Sequence, residues 1–200
     1  MNIYLCKKSN IAVNYDAFKK EIEPTKLQRI YRVRDEEKQK TLILSDHLAR
    51  YAIAKHCNIK TYEIEFYYNS LGKPFAKGLD VYFSVSHSGD YVVVAVSDKP
   101  VGIDIETLRE VKANTVKRVC CENEIECINN AHDKNAEFLK IWTKKEAYFK
   151  SVGCGIVTNL SLLDTTKENG LYTYLTNDYI VSVYSAETNI ERCAINYDKY

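Results

Sequence analysis

Residues 81–97 read V-Y-F-S-V-S-H-S-G-D-Y-V-V-V-A-V-S, and V-G-I-D-I-E follows at 101–106. Two β-prone runs flank Ser88-Gly89-Asp90, the signature of an antiparallel hairpin, and V-G-I-D-I-E reads as another short strand. Upstream, residues 35–57 carry good helix formers with Leu44, Leu48 and Tyr51 at helical spacing. A turn-rich passage, Asn69–Pro74, separates that helix from the hairpin. The order then recurs. Residues 114–128 and 134–151 read as helices that stop before Gly153 and Gly155, and 171–185 reads as a hairpin turning at Asn177-Asp178. Y-V-V-V-A-V-S-D-K-P at 91–100 and Y-I-V-S-V-Y-S-A-E-T at 179–188 occupy matching places. Helix then hairpin, twice, predicts an α+β fold built as a pseudo-dimer of two similar halves in one chain. The expected halves are 1–100 and 101–200, with a site between them.

Bulk properties narrow the function classes. The 200 residues are 46% hydrophobic and 28% charged, ordinary for a globular chain, with a formal net charge of +1. That balance argues against a nucleic-acid partner held by bulk charge. No signal-peptide core precedes Cys6-Lys7-Lys8, and the longest apolar run, Tyr91–Val96, is too short to span a bilayer. A cytoplasmic protein is expected. Seven cysteines, an odd number without zinc-like C-x-x-C spacing, read as reduced structural thiols.

The chemistry rests on carboxylates. In a strand over 101–106, Val101, Ile103 and Ile105 share one face while Gly102, Asp104 and Glu106 share the other. Residues two apart lie roughly 6–7 Å apart at Cα, so the two acids can converge on one hard cation, with Gly102 leaving space beside them. An ordinary solvated strand face explains the same pattern. In a helix over 138–150, Phe138, Trp142, Lys145 and Phe149 follow one side, and Trp142, Glu146 and Lys150 form an i, i+4, i+8 row. The bland alternative is a buried Trp with an exposed Glu146–Lys150 ion pair. Oxygen-only ligands, few in number, point to magnesium and a phosphate-bearing substrate, with Lys73, His87, Lys145 and Lys150 available to neutralise it.

Gly72-Lys73-Pro74, F-S-V-S-H-S at 83–88, G-I-D-I-E at 102–106 and W-T-K-K-E-A-Y-F-K at 142–150 together resemble the 4'-phosphopantetheinyl transferases of the larger, surfactin-synthetase-activating type. The likeness extends weakly to Pro24-x-Lys26-x-x-Arg29 and S-D-H-L-A-R at 45–50 and fades after about residue 160. It implies a monomeric enzyme that transfers the phosphopantetheine arm of coenzyme A to a serine of an apo carrier protein, releasing adenosine 3',5'-bisphosphate. It further implies magnesium ligands Asp104, Glu106 and Glu146, and coenzyme A contacts Lys73, Ser86 and His87. Lys145 and Lys150 correspond to lysines facing the pyrophosphate, and Lys26 and Arg29 lie near positions used for the ribose 3'-phosphate. Glu124 matches an acidic family position without an assigned role, and Cys120-Cys121 replace the usual aromatic pattern beside it.

The implied catalytic residues are Asp104, Glu146 and Lys150, with Glu146 or a cation-bound water taking the serine proton and Lys150 steadying the leaving phosphate. A carrier presenting an acidic helix is the expected partner, with apolar contacts in the segment 110–135. Three rivals remain: a magnesium-dependent phosphohydrolase or other phosphotransferase using the same carboxylates, a relative that binds coenzyme A without transfer, and a purely structural reading in which the motifs are ordinary strand and helix faces.

Overall fold

A computed structural model describes residues 1–10, 15–153 and 159–186 and the backbone of 191–194. Gly155, expected near a helix stop, lies outside the described residues. The elements in chain order are β1 (Asn2–Lys7), α1 (Tyr15–Lys19), α2 (Pro24–Tyr31), α3 (Glu36–Cys57), β2 (Phe66–Tyr68), β3 (Pro74–Ala76), β4 (Tyr82–Ser88), β5 (Tyr91–Ser97) and β6 (Val101–Thr107). They continue with α4 (Ala113–Val119), α5 (Glu122–Asn130), α6 (Lys134–Val152), β7 (Leu171–Leu175), β8 (Tyr179–Ser185) and β9 (Glu191–Ala194). The fold is α+β. One sheet runs β4-β5-β1-β9 and a second runs β6-β8-β7. The parallel β1–β9 pair brings the end of the chain back to its beginning.

Strand alternation builds the layers. In β5, Val92, Val94 and Val96 face α3 through Leu44, Leu48, Ala52 and Ile53. Tyr91, Val93 and Ala95, on the opposite face, pack on Val101, Ile103, Ile105, Val181 and Val183 of the second sheet. That sheet turns its other face to α6. The order is helix, sheet, sheet, helix, and each buried valine or isoleucine contributes about 2 kcal/mol.

Local signals set the ends of the long elements. Asp35 caps α3 by accepting from Glu37 N and Lys38 N at 2.9 and 3.2 Å, and Asn58 closes it in the left-handed region at φ 54°. Asp133 caps α6 through Ala136 N, and Gly153 ends it at φ 75°. Gly89, at φ 54°, takes the first position of the two-residue turn joining β4 to β5.

One expected helix divides. The stretch 114–128 breaks at Cys120-Cys121, both extended, into α4 and α5. The cause is Glu124, whose carboxylate reaches back to Cys121 N at 2.9 Å and restarts the helix as a capping box. Five of the seven cysteines are free thiols in the described residues. Burial pushes Cys6 and Cys120 up to about 12, which suits packing and not nucleophilic chemistry.

Candidate active site

The F-S-V-S-H-S stretch has a structural logic that the sequence did not disclose. Ser84, Ser86 and Ser88 alternate onto the face of β4 that meets β6, the edge strand of the second sheet. Ser84 Oγ accepts from Ile103 N and Ser88 Oγ from Thr107 N, each at 3.1 Å, so serine hydroxyls cover backbone donors on an otherwise open strand edge. The same hydroxyls reach the acids. Ser86 Oγ donates to Asp104 Oδ1 at 2.6 Å, and Ser88 Oγ to Glu106 Oε2 at 3.1 Å.

The third wall is α6. Gly102 was expected to leave room for a ligand, and here the structure corrects the expectation. A Cβ on Gly102 would stand 1.8 Å from Ala147 O and 2.5 Å from Ser151 N, so the space is filled by helix backbone. That close approach presents the Trp142–Glu146–Lys150 row to β6. Trp142 Nε1 donates to Glu106 Oε1 at 3.1 Å, and Lys150 Nζ meets Asp104 Oδ1 at 2.6 Å and Ser86 Oγ at 2.9 Å. Glu146 is 8% exposed and forms no ion pair with Lys150, so neither bland alternative, a solvated strand face or an exposed Glu–Lys pair, describes the site.

The electrostatics of this centre are unbalanced. Asp104 Oδ2 and Glu146 Oε1 are buried without a hydrogen-bond partner. Burial, then the charges of Asp104 and Glu106, raise the Glu146 carboxyl to about 7 against the opposing pull of Lys150. Orphaned carboxylate oxygens in an all-oxygen donor set fit a hard divalent cation. The three acids are not gathered as closely as metal ligands, because Lys150 stands at Asp104 while Trp142, Ser88 and Arg109 draw Glu106 aside. Trp142→Phe removes one of these restraints and should weaken divalent-ion dependence of activity about tenfold, as loss of a supporting hydrogen bond does; a magnesium titration of the rate measures it.

Among the described residues, the one trio of potential ligands already within 4.8 Å of each other is Cys121, Glu124 and Asp164. It does not suit a cation. Lys145 Nζ lies 2.7 Å from Glu124 Oε2, Thr165 donates twice to Oε1, and Thr166 and Asn123 donate to Asp164.

The remaining expected residues scatter. Lys73 lies on the cleft wall, donating to Lys150 O at 2.5 Å and Ser151 O at 3.0 Å. His87 is exposed at the end of β4; crowding by protein atoms, then Lys150, Lys8 and Lys38, holds its pKa down. Lys26 sits on Asp46 Oδ2 at 2.5 Å and over the rings of Phe66 and Tyr68, while Arg29 is exposed one turn along α2. Lys145 does not face the cleft. It is 0% exposed and bonds Glu124, Leu160 O and Leu163 O, because it lies on the inward stripe with Phe138 and Phe149. Lys145→Met should cost about 3 kcal/mol by stranding the Glu124 charge, and Glu124→Leu added to it should restore most of that in denaturant melts.

Lys8 and Lys38 were missed by the sequence reading. Lys8 Nζ donates to Thr41 Oγ1 at 2.9 Å, and both lysines are near enough to act on His87. No local pattern marks them, since three separate elements bring them together. Beside the acids opens a cleft of about 240 Å³ lined by Leu71, Lys73, Phe83, Phe149 and Lys150 among others.

Acids with unmet oxygens, bordered by lysines and a histidine at the mouth of a cleft, define a centre suited to holding a cation against a phosphorylated substrate. Comparison with known proteins gives the lineage. Residues 100–195 match the 4'-phosphopantetheinyl transferase superfamily, and residues 10–99 match the 4'-phosphopantetheinyl transferase N-terminal family. The chain belongs to the 4'-phosphopantetheinyl transferase superfamily. It is 35% identical over 116 residues to the 4'-phosphopantetheinyl transferase gsp of Aneurinibacillus migulanus, covering 57% of this chain and 48% of that one. It is 31% identical over 139 residues to the 4'-phosphopantetheinyl transferase Sfp of Bacillus subtilis, covering 68% and 62%, and 34% identical over 122 residues to psf-1 of Bacillus pumilus, covering 60% and 52%. The matched stretches thus span about half to three-fifths of the curated relatives' length. No helix among the described residues is long and apolar enough to cross a membrane.

Proposed function

We propose that this chain transfers the 4'-phosphopantetheine arm of coenzyme A to a serine of an apo carrier protein, using a magnesium site made by Asp104, Glu106 and Glu146. The observation that carries the reading is the buried acidic centre with orphaned oxygens on Asp104 and Glu146, with Lys150 in contact with Asp104 beside a cleft. The halves 1–100 and 101–200 each contribute a wall, the first through β4 and the second through β6 and α6. We take the protein to act as a cytoplasmic monomer.

In this reaction the serine oxygen bonds to the phosphorus nearer the pantetheine, its proton passes to a base, and adenosine 3',5'-bisphosphate leaves as the phosphoanhydride bond breaks. Magnesium, when bound, supplies charge neutralisation of the pyrophosphate. Burial and the neighbouring acids hold the Glu146 carboxyl at about 7 in the metal-free chain, and a bound cation would lower that value, so Glu146 would serve as an ionised ligand while the serine proton passes to water. Lys150 spends two N–H groups on Asp104 and Ser86 and keeps a third for the leaving phosphate. The lowered pKa keeps His87 neutral in the free protein, and an arriving phosphate favours its protonated form, so His87 with Lys8 and Lys38 supports anion binding.

The test incubates the protein with coenzyme A, magnesium and several apo carriers and reads intact mass. A phosphopantetheine gain on the carrier is expected. Phosphate release without a carrier would favour the hydrolase reading, and tight coenzyme A binding with no gain on any carrier would favour a binding relative.

A further inference from the structure

The loop between β2 and β3 is organised by one side chain. Asn69 Oδ1 accepts from Leu71 N at 3.0 Å and Lys73 N at 2.8 Å, while Asn69 N donates to Lys73 O at 3.1 Å and Asn69 O accepts from Gly72 N at 3.0 Å. With its conformation set, the loop reaches across 84 positions of sequence to the end of α6. Asn69 Nδ2 donates to Gly153 O at 3.2 Å, and Lys73 Nζ donates to Lys150 O and Ser151 O. The last carbonyls of a helix have no partners inside it, and these donors from another element supply them. The Lys73 ammonium also favours the negative end of the helix dipole.

The clip grips the turn that carries Lys150, one turn beyond Glu146. The apolar stripe and the close approach at Gly102, which reaches Ala147 O and Ser151 N, hold the body of α6 without the clip. The clip adds partners for the terminal carbonyls, Lys150 O, Ser151 O and Gly153 O. Helix ends fray readily, and a frayed turn would release the Lys150 ammonium from Asp104 and widen the cleft that Leu71–Pro74 line on one side and Phe149, Lys150 and Gly153 on the other.

We infer that Asn69 is a positioning residue, holding the last turn of α6 so that Lys150 and Glu146 stand correctly against Asp104. The role rests on the transferase reading above. It also makes Lys73 a second arm of the same clip, whatever contact it makes with substrate.

Asn69→Asp keeps an acceptor for the loop N–H groups, removes the donor to Gly153 O and adds a negative charge; Asn69→Ala removes donor and acceptor without adding charge, so a loss shared by the two variants is not an effect of charge. Rates are measured with coenzyme A, magnesium and an apo carrier at a temperature where circular dichroism shows every variant folded. In Asn69→Asp, kcat should fall about tenfold with KM for coenzyme A changed less than about threefold, and Asn69→Ala should fall further. A kcat within twofold of the parent in Asn69→Asp overturns the inference, as does a loss confined to KM.

A second measurement separates this idea from the transferase reading. Manganese is titrated in while the fluorescence of Trp142, the single tryptophan and a donor to Glu106, is followed. Should the parent protein transfer nothing, the functional reading falls by itself and the titration decides the positioning claim. Severalfold weaker manganese affinity in Asn69→Asp upholds it and unchanged affinity overturns it. A parent that neither transfers nor binds manganese overturns both.

Discussion

Gly102→Ala is expected to leave little folded protein. The added Cβ would lie 1.8 Å from Ala147 O and 2.5 Å from Ser151 N, both backbone atoms of α6, so no rotamer change relieves the overlap. The helix must lift by roughly 1.5 Å from a close-packed face, forfeiting dispersion contacts along β6 and β8. Overpacking usually costs 1–3 kcal/mol, and a rigid backbone-to-backbone clash belongs to the upper tail, about 4–5 kcal/mol, a large part of a domain's whole stability. The gain in strand propensity from alanine, about 0.5–1 kcal/mol, does not offset it. Any folded remainder should also be inactive, because the same shift separates Lys150 from Asp104. Soluble yield and the urea midpoint measure the effect; a midpoint near the parent's would mean that α6 does not sit as close to β6 as described.

Glu146→Gln should have opposite effects on activity and stability. Loss of a carboxylate from the proposed cation site should lower kcat by roughly 10³-fold, several kcal/mol of transition-state stabilisation. Stability should move the other way. The folded-state pKa of Glu146 is raised from 4.5 to about 7, so the folded chain binds its proton more tightly than the unfolded chain. That contribution is fully present below pH 4.5 and is lost as pH rises toward 7, reaching about 3 kcal/mol once the group is forced to ionise. In divalent-free buffer at pH 8, Glu146→Gln should therefore raise Tm by several degrees, and the gain should vanish near pH 5. A lower Tm at pH 8 would show that the acidic centre is not under repulsive load.

Much of this was legible in sequence because periodicity and turn chemistry dictate it. The alternation in 101–106 correctly separates Val101, Ile103 and Ile105 from Asp104 and Glu106, and Gly89-Asp90 turns the first hairpin as read. Lys145 shows where motif reading and physics diverged. The helical stripe of Phe138, Trp142 and Phe149 already carried Lys145 inward, while likeness to the family suggested a phosphate contact; in the fold the stripe prevails, because Glu124 and two carbonyls satisfy the ammonium inside. Gly102 was read as open space because a strand pattern does not reveal what packs on it. The break at Cys120-Cys121 escaped since its cause, Glu124, acts through a reach back to Cys121 N that helical spacing alone conceals. The serine seam on β4, the Asn69 clip and the Lys8–Lys38 cations depend on contacts between residues far apart in the chain, which local patterns do not encode.

The most direct test of the central claim compares the parent protein with Glu146→Gln in arm transfer from coenzyme A to an apo carrier, from pH 6 to 9, with magnesium and with EDTA. The acidic-centre account predicts a phosphopantetheine mass gain on the carrier for the parent in magnesium, none in EDTA, and a rate about 10³-fold lower for Glu146→Gln at every pH. Transfer by Glu146→Gln at the parent rate, or undiminished transfer in EDTA, would contradict it.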